Sequence, residues 1–254
     1  MKAYLLLNEI KSSLILSIIL SAIIYALLFY GILIFPYEMN IGNDTLKTIL
    51  FIPANPYLSR DHYAFIMEYI IMASAIMATI LSTKTLVHDK VSGYDEYLFS
   101  LPTTRGVIFY NKLLAILIEL IIFNIGFYVL SIVFNSILDL NLPIKYILKM
   151  NSALTLSQLT FASIGVLAGS FIKPKNIYLK NILFIIALVL IAIPERLYNI
   201  TLLRYINPFS YFKLNEIISS GYKMSFLIAS GCIIIFSISI SKTSYDEYDV
   251  LKRG

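Results

Sequence analysis

Apolar residues fall along this chain in six blocks separated by shorter polar stretches. Residues 12–35 carry no charge, and a helix rising ~1.5 Å per residue over that length crosses a ~30 Å hydrocarbon core. Further blocks lie at about 64–83, with Glu68 near one end, and at about 107–138, with Lys112 near its start and Glu119 further in. Two more, 150–172 and 224–241, follow the same pattern, and 150–172 is uncharged. The block at 181–194 falls short of the roughly 17 residues that a full crossing takes. The pattern predicts an all-α integral membrane protein with six transmembrane helices in one domain over residues 1–254. The first block is too long for the apolar part of a signal peptide and no small-residue cleavage site follows it, so it reads as a retained span.

The connecting segments carry patterns of their own. Leu5, Leu6 and Leu7 beside Asn8, Glu9 and Lys11 predict a short interfacial helix ahead of span one. Pro36, Pro53 and Pro56 mark residues 35–63 as a loop with little regular structure. Residues 195–223 are amphipathic: Leu197, Tyr198, Leu202, Tyr205, Phe209 and Phe212 are costly to leave in water. With span five short, this stretch is expected to dip back into the bilayer as partly re-entrant outer helices, packed on the outer halves of spans five and six. Its charged members Arg204, Lys213 and Glu216 are expected to be its most exposed.

Composition agrees with lipid as the solvent. Apolar residues make up 59% of the chain and charged residues 14%, about half the roughly 25% of a soluble domain. Mean hydropathy is +0.81. These values exclude a disordered chain, a coiled coil and a nucleic-acid module. The net charge of +5 is spread over membrane-flanking lysines and arginines. With the N-terminus placed in the cytoplasm, twelve of the twenty basic residues fall inside, which favours both termini in the cytoplasm of a multi-pass protein of the cell membrane. The two sequons, at Asn43 and Asn199, then both lie outside and are candidate glycosylation sites. Cys232 is the only cysteine, so no intrachain disulfide forms, and His62 and His88 do not make a metal site by themselves.

The chain shows no phosphate-binding loop, no zinc-protease helix, no nucleophile elbow and no Cys/His cluster. Inside the spans, Glu119, Asn124 and Gln158 are the candidate intramembrane polar or translocation-path residues. Glu119 either fastens helices together or serves function. Gln158, Ala162, Gly165 and Gly169 share one helical face, and Ser13, Ser17 and Ser21 form a similar stripe in span one. Such small-residue faces let helices approach closely.

Between spans two and three, Tyr94, Tyr97, Leu98 and Leu101 recur at helical spacing between Gly93 and Pro102. Asp95 and Glu96 sit where the helix dipole favours acids, and Pro102 ends the run. The spacing predicts a short amphipathic helix on the cytoplasmic side, within residues 86–101, that a soluble partner could push on. Glu96-Tyr-Leu-Phe-Ser-Leu-Pro102-Thr-Thr-Arg105 followed by Lys112 resembles the signature after the second span of ABC-2 type transporter permeases. Asn8-Glu9-Ile-Lys11 before span one, Tyr205-Ile-Asn-Pro208-Phe-Ser-Tyr211 between spans five and six, and the charged tail after span six are similar to that family too. Tyr97 and Leu98 depart from its pattern, which often has small residues there.

The resemblance implies the permease subunit of an ATP-driven exporter, not itself an enzyme. It implies a second permease subunit, identical or homologous, and two ABC-type ATPase subunits that bind ATP and Mg in a separate chain, with no cofactor in this one. Coupling would run through Asp95, Glu96, Tyr97, Leu98, Leu101, Pro102 and Arg105. A secondary transporter, a scaffold or a membrane-embedded enzyme is the alternative; no inverted repeat and no titratable cluster is evident for either transport or catalysis of those kinds.

Overall fold

The computed structural model describes residues 2–34, 59–100, 102–137, 141–171, 186 and 201–247. The elements among these residues are helical: α1 (Lys2–Ile34), α2 (Ser59–Ser92), α3 (Tyr94–Ser100), α4 (Arg105–Ile137), α5 (Ile144–Phe171), α6 (Thr201–Ile206), a 3-10 turn (Pro208–Ser210), α7 (Leu214–Ser220) and α8 (Met224–Asp246). Five of these, α1, α2, α4, α5 and α8, are long and apolar enough to cross a membrane. The span expected at 181–194, apart from residue 186, and the sequons at Asn43 and Asn199 lie outside the described residues.

Three expectations change. No separate interfacial helix precedes span one, because α1 is unbroken from Lys2 to Ile34. Nothing in its first turns breaks a helix, and the Ser12 and Ser13 hydroxyls bond back to the Glu9 carbonyl at 2.8 and 3.0 Å, inside the ladder. Span two does not stop near residue 83: α2 runs on to Ser92, so Leu86 and Val87 are buried span residues and no part of a coupling helix. The chain turns only at Gly93, whose φ of +75° is open to glycine at little cost. The amphipathic helix expected between spans two and three is therefore the seven residues of α3.

The bundle is built on α2 and α5, which lie side by side and run in the same direction. A Cβ at Gly165 would stand 2.6 Å from the Thr79 carbonyl oxygen, and one at Gly169 would stand 2.8 Å from the Leu86 Cβ. The small-residue face read in the sequence thus brings two backbones together. Thr83 uses the closeness, donating across to the Gly165 carbonyl at 3.0 Å. The hydroxyls of Thr79, Ser82, Thr83 and Thr85 also bond to carbonyls four residues back, so α2 carries its polar groups into the core already paired.

The helix α1 runs antiparallel to α2 and parallel to α4. Tyr25 stacks on Phe123 with centroids 5.3 Å apart and donates to the Phe123 carbonyl at 2.9 Å. Asn135 closes the α4–α5 connection by bonding both the amide and the carbonyl of Leu142.

Candidate functional site

The first turns of α1 and α4 and the last turns of α2 and α8 meet at one end of the bundle, with α3 mounted on them. The centre of this node is Lys112, which has no solvent exposure. Its ammonium donates to Glu9 Oε1 at 2.8 Å, to the Thr85 carbonyl at 3.0 Å and to Asp89 Oδ2. All three of its donors are therefore used. Glu9 and Asp89 are 5% and 4% exposed, so one base holds two acids away from water. A buried charge is tolerated only when paired in this way. His88 extends the cluster outward: its Nδ1 is 3.4 Å from Asp89 Oδ1, and its side chain is partly exposed.

Sequence reasoning quoted Glu9 and Lys112 separately and missed Asp89. Lys112 is spent inside the protein and does not flank its span as a solvated charge. The missed signal was the apolar pair Leu86 and Val87, which carries the helical pattern past Lys84 and puts Asp89 on a buried face.

Around the cluster, α3 is tied to the last helix. Arg105 Nη1 donates to the Asp246 carbonyl at 2.7 Å, and its guanidinium lies 4.8 Å from the centroid of the Phe99 ring. Tyr245, itself buried, meets Phe99 at 6.1 Å and Phe109 at 5.5 Å. Of the predicted coupling residues, Tyr97 is exposed at 51%, Pro102 is exposed and Arg105 is partly buried. Leu98 is 1% exposed and packs into the bundle core, so it anchors α3 from within. Asp95 and Glu96 lie in the first turn of α3, and their side chains, like Leu101, fall outside what is described.

The intramembrane polar residues divide between two faces of α4. Asn124 turns toward α5, donating to Gln158 Oε1 at 2.6 Å and accepting from Thr155 at 3.0 Å. Glu119 turns toward α1, where Ser13 bonds its Oε1, while its Oε2 has no hydrogen-bond partner among the described residues. Ser13 has one proton and three acceptors in reach: Glu119, the Glu9 carbonyl at 3.0 Å and the Ile10 carbonyl at 3.3 Å. An ionised Glu119 accepts the Ser13 hydrogen bond; a protonated Glu119 donates to Ser13 and frees its hydroxyl for the Glu9 or Ile10 carbonyl. The stripe of span one does not close a helix contact along its whole length: Ser17 and Ser21 line a groove of about 480 Å³ beside Glu119.

At the other end of the bundle, residues 201–223 form a packed element. Asn207 caps the 3-10 turn by accepting from the Phe209 amide at 3.1 Å, and Pro208 takes the first position, where no amide is needed. Phe209 then inserts against Phe161 of α5, centroids 4.3 Å apart. Tyr211 stacks on Phe226 at 5.3 Å and donates to the Tyr205 carbonyl. Lys149, at the start of α5, donates to the Ile217 carbonyl at 3.3 Å. The described packing is thus on α5, α8 and, through Met72 and Ala75 beside Phe209, on α2; contact with span five concerns residues outside those described.

The expectation that Arg204, Lys213 and Glu216 are the most exposed here is corrected. Tyr205 and Ile206 are more exposed, and Arg204 is drawn in by Glu216 and by the Phe226 ring, 4.8 Å away. Burial works to raise the Glu216 carboxyl, but hydrogen bonds and charge from Arg204 and Lys223 outweigh it and hold the group below the usual carboxylate range.

No protein-family model, curated protein or solved structure matches the chain.

Proposed function

We propose that this chain is the transmembrane permease subunit of an ATP-binding-cassette exporter, driven by ATPase subunits in a separate chain. The observation that carries the reading is the node: a seven-residue helix set between two spans, anchored inward by Leu98 and presenting Tyr97 outward. Behind it, Lys112 ties α1, α2 and α4 together. A push on α3 reaches α2 through the Gly93 turn, α4 and α8 through Arg105, and from there the charge cluster. This is the arrangement of a lever on a stiff support, and it accounts for the Leu-Pro-Thr-Thr-Arg run and Lys112 together.

In this reading both termini and α3 face the cytoplasm of the cell membrane. Phe171 and Leu214 stand at opposite ends of the bundle, and the sixth crossing supplies the passage between them. Two copies of the chain, or this chain and a homologue, complete the transport path with two ATPases, which bind ATP and Mg. The element at 201–223 closes the outer end.

A photo-crosslinking amino acid at position 97, in cells that make the chain from its natural genomic setting, tests the reading. The expected product joins the chain to an ATPase carrying phosphate-binding and ABC signature motifs, and the yield changes with ATP. Substrate movement by the purified chain alone, driven by an ion gradient and indifferent to ATP, would establish the secondary-transporter alternative instead.

A further inference from the structure

We infer that the groove between α1 and α4 binds a single-chain amphiphile whose N–H-bearing cationic head donates to Glu119. The inference goes beyond the transport reading and does not depend on it. The groove has a volume of about 480 Å³, within the range of small-ligand sites. Its walls are apolar, formed by Leu14, Ile18, Ile122 and Phe123, and Ser17 and Ser21 run along one side. Leu14, Ile18 and Ile122 are 41%, 59% and 63% exposed, so the groove opens sideways, toward whatever surrounds the span. In a bilayer that is lipid.

The polar chemistry of the groove is one-sided. Glu119 is 6% exposed, and one of its carboxylate oxygens has no hydrogen-bond partner among the described residues. An ionised carboxylate only accepts. The nearby base, Lys84, gives its ammonium to the Ser12 carbonyl at 3.1 Å, so its charge is felt at Glu119 but it supplies no hydrogen bond there. A carboxylate in a span costs about 2.5–3.5 kcal/mol. A ligand that brings both a positive charge and N–H donors removes that cost, while a neutral alcohol offers a donor without the charge and a fatty acid opposes it.

Size selects the rest of the molecule. A helix with side chains is ~10–12 Å across, so this volume holds about one turn of it. That is too little to seat a partner helix, whereas an extended alkyl chain lies along Leu14, Ile18 and Ile122.

The test is binding of tritiated tetradecylamine to the purified full chain in zwitterionic nanodiscs. Saturable binding of one molecule per chain is expected, displaced by neither tetradecanol nor tetradecanoate as competitors. Glu119→Gln keeps the shape and the Ser13 contact and should weaken binding about tenfold or more, the loss of a charge-assisted hydrogen bond. Ser21→Phe fills the groove without touching Glu119 and should abolish the saturable component, which keeps the test alive if the Gln variant folds poorly. Non-saturable partitioning alone, equal binding by both variants, or equal competition by tetradecanol would each overturn the proposal. No ATPase is present in the assay, so its failure leaves the transport reading standing, and failure of the transport reading leaves this result standing.

Discussion

Glu9 and Lys112 are 103 positions apart in the chain, and their charged atoms meet 2.8 Å apart in a place water does not reach. Removing one partner of a buried pair is far more damaging than the net contribution of the pair, because the survivors are left uncompensated. Lys112→Met leaves two buried carboxylates facing each other, and a loss of about 3–5 kcal/mol is expected, read as a fall in thermal unfolding midpoint in detergent. Glu9→Gln leaves Lys112 with Asp89 and should cost clearly less. Equal, small effects of both would show that the cluster is not closed in the protein as purified.

Gly165 faces a different test. Its missing side chain is what lets the Thr79 carbonyl come so near, and a methyl there would overlap it at 2.6 Å. Gly165→Ala should cost about 1–3 kcal/mol through forced separation of α2 from α5. At Gly231, where nothing stands within 4 Å of an added Cβ, Gly→Ala should be neutral or slightly stabilising.

Arg105 donates to the Asp246 carbonyl and lies over the Phe99 ring, which holds α3 to the end of α8. Arg105→Ala should lower global stability by only about 1–2 kcal/mol. Its main expected effect is local: faster hydrogen exchange in 94–100 and 240–246, with α2 and α5 unchanged. Uniform acceleration along the chain would contradict a local clamp.

Glu216 gives the far end of the bundle a pH dependence of defined sign. Its carboxyl lies below its ordinary value when folded, so its contribution is present in full above the unfolded value of ~4.3 and is lost as pH falls through the lowered folded value. The group is partly exposed, which limits the contribution to about 0.2–1 kcal/mol. Proteolysis near Arg204 and Lys213 should therefore quicken below about pH 4 in the parent and show less of that change in Glu216→Gln.

The apolar blocks revealed which segments are helical, and the glycine face of α5 announced its close neighbour. The placement of polar groups was harder to read. Leu98 and Tyr97 are adjacent and both large, yet one is core and the other surface; only the packing of α3 on its neighbours decides which. Asp89 read as a loop residue because its burial depends on Lys112 and Glu9, two residues brought from distant helices. Asn124 and Glu119 share a helix and a chemistry, and the hundred-degree turn per residue sends them to different partners. The closing element at 201–223 was legible as buried, while the ring it packs on, Phe161, carried no sign of that role.

The charge cluster also imposes an order on how the chain is made. Synthesis delivers Glu9 first and Asp89 next, and both acids enter the end of a span before the base that neutralises them exists. Lys112 is the third to arrive, on the helix that follows α3. Until α4 is in place, the first two spans carry two acids without the buried base that pairs them both, each at a cost of ~2.5–3.5 kcal/mol if drawn fully into lipid. Nascent chains stopped before Lys112 will therefore keep their first spans shallow or in the care of the insertion machinery, and the arrival of one lysine releases all three helices into the bilayer together.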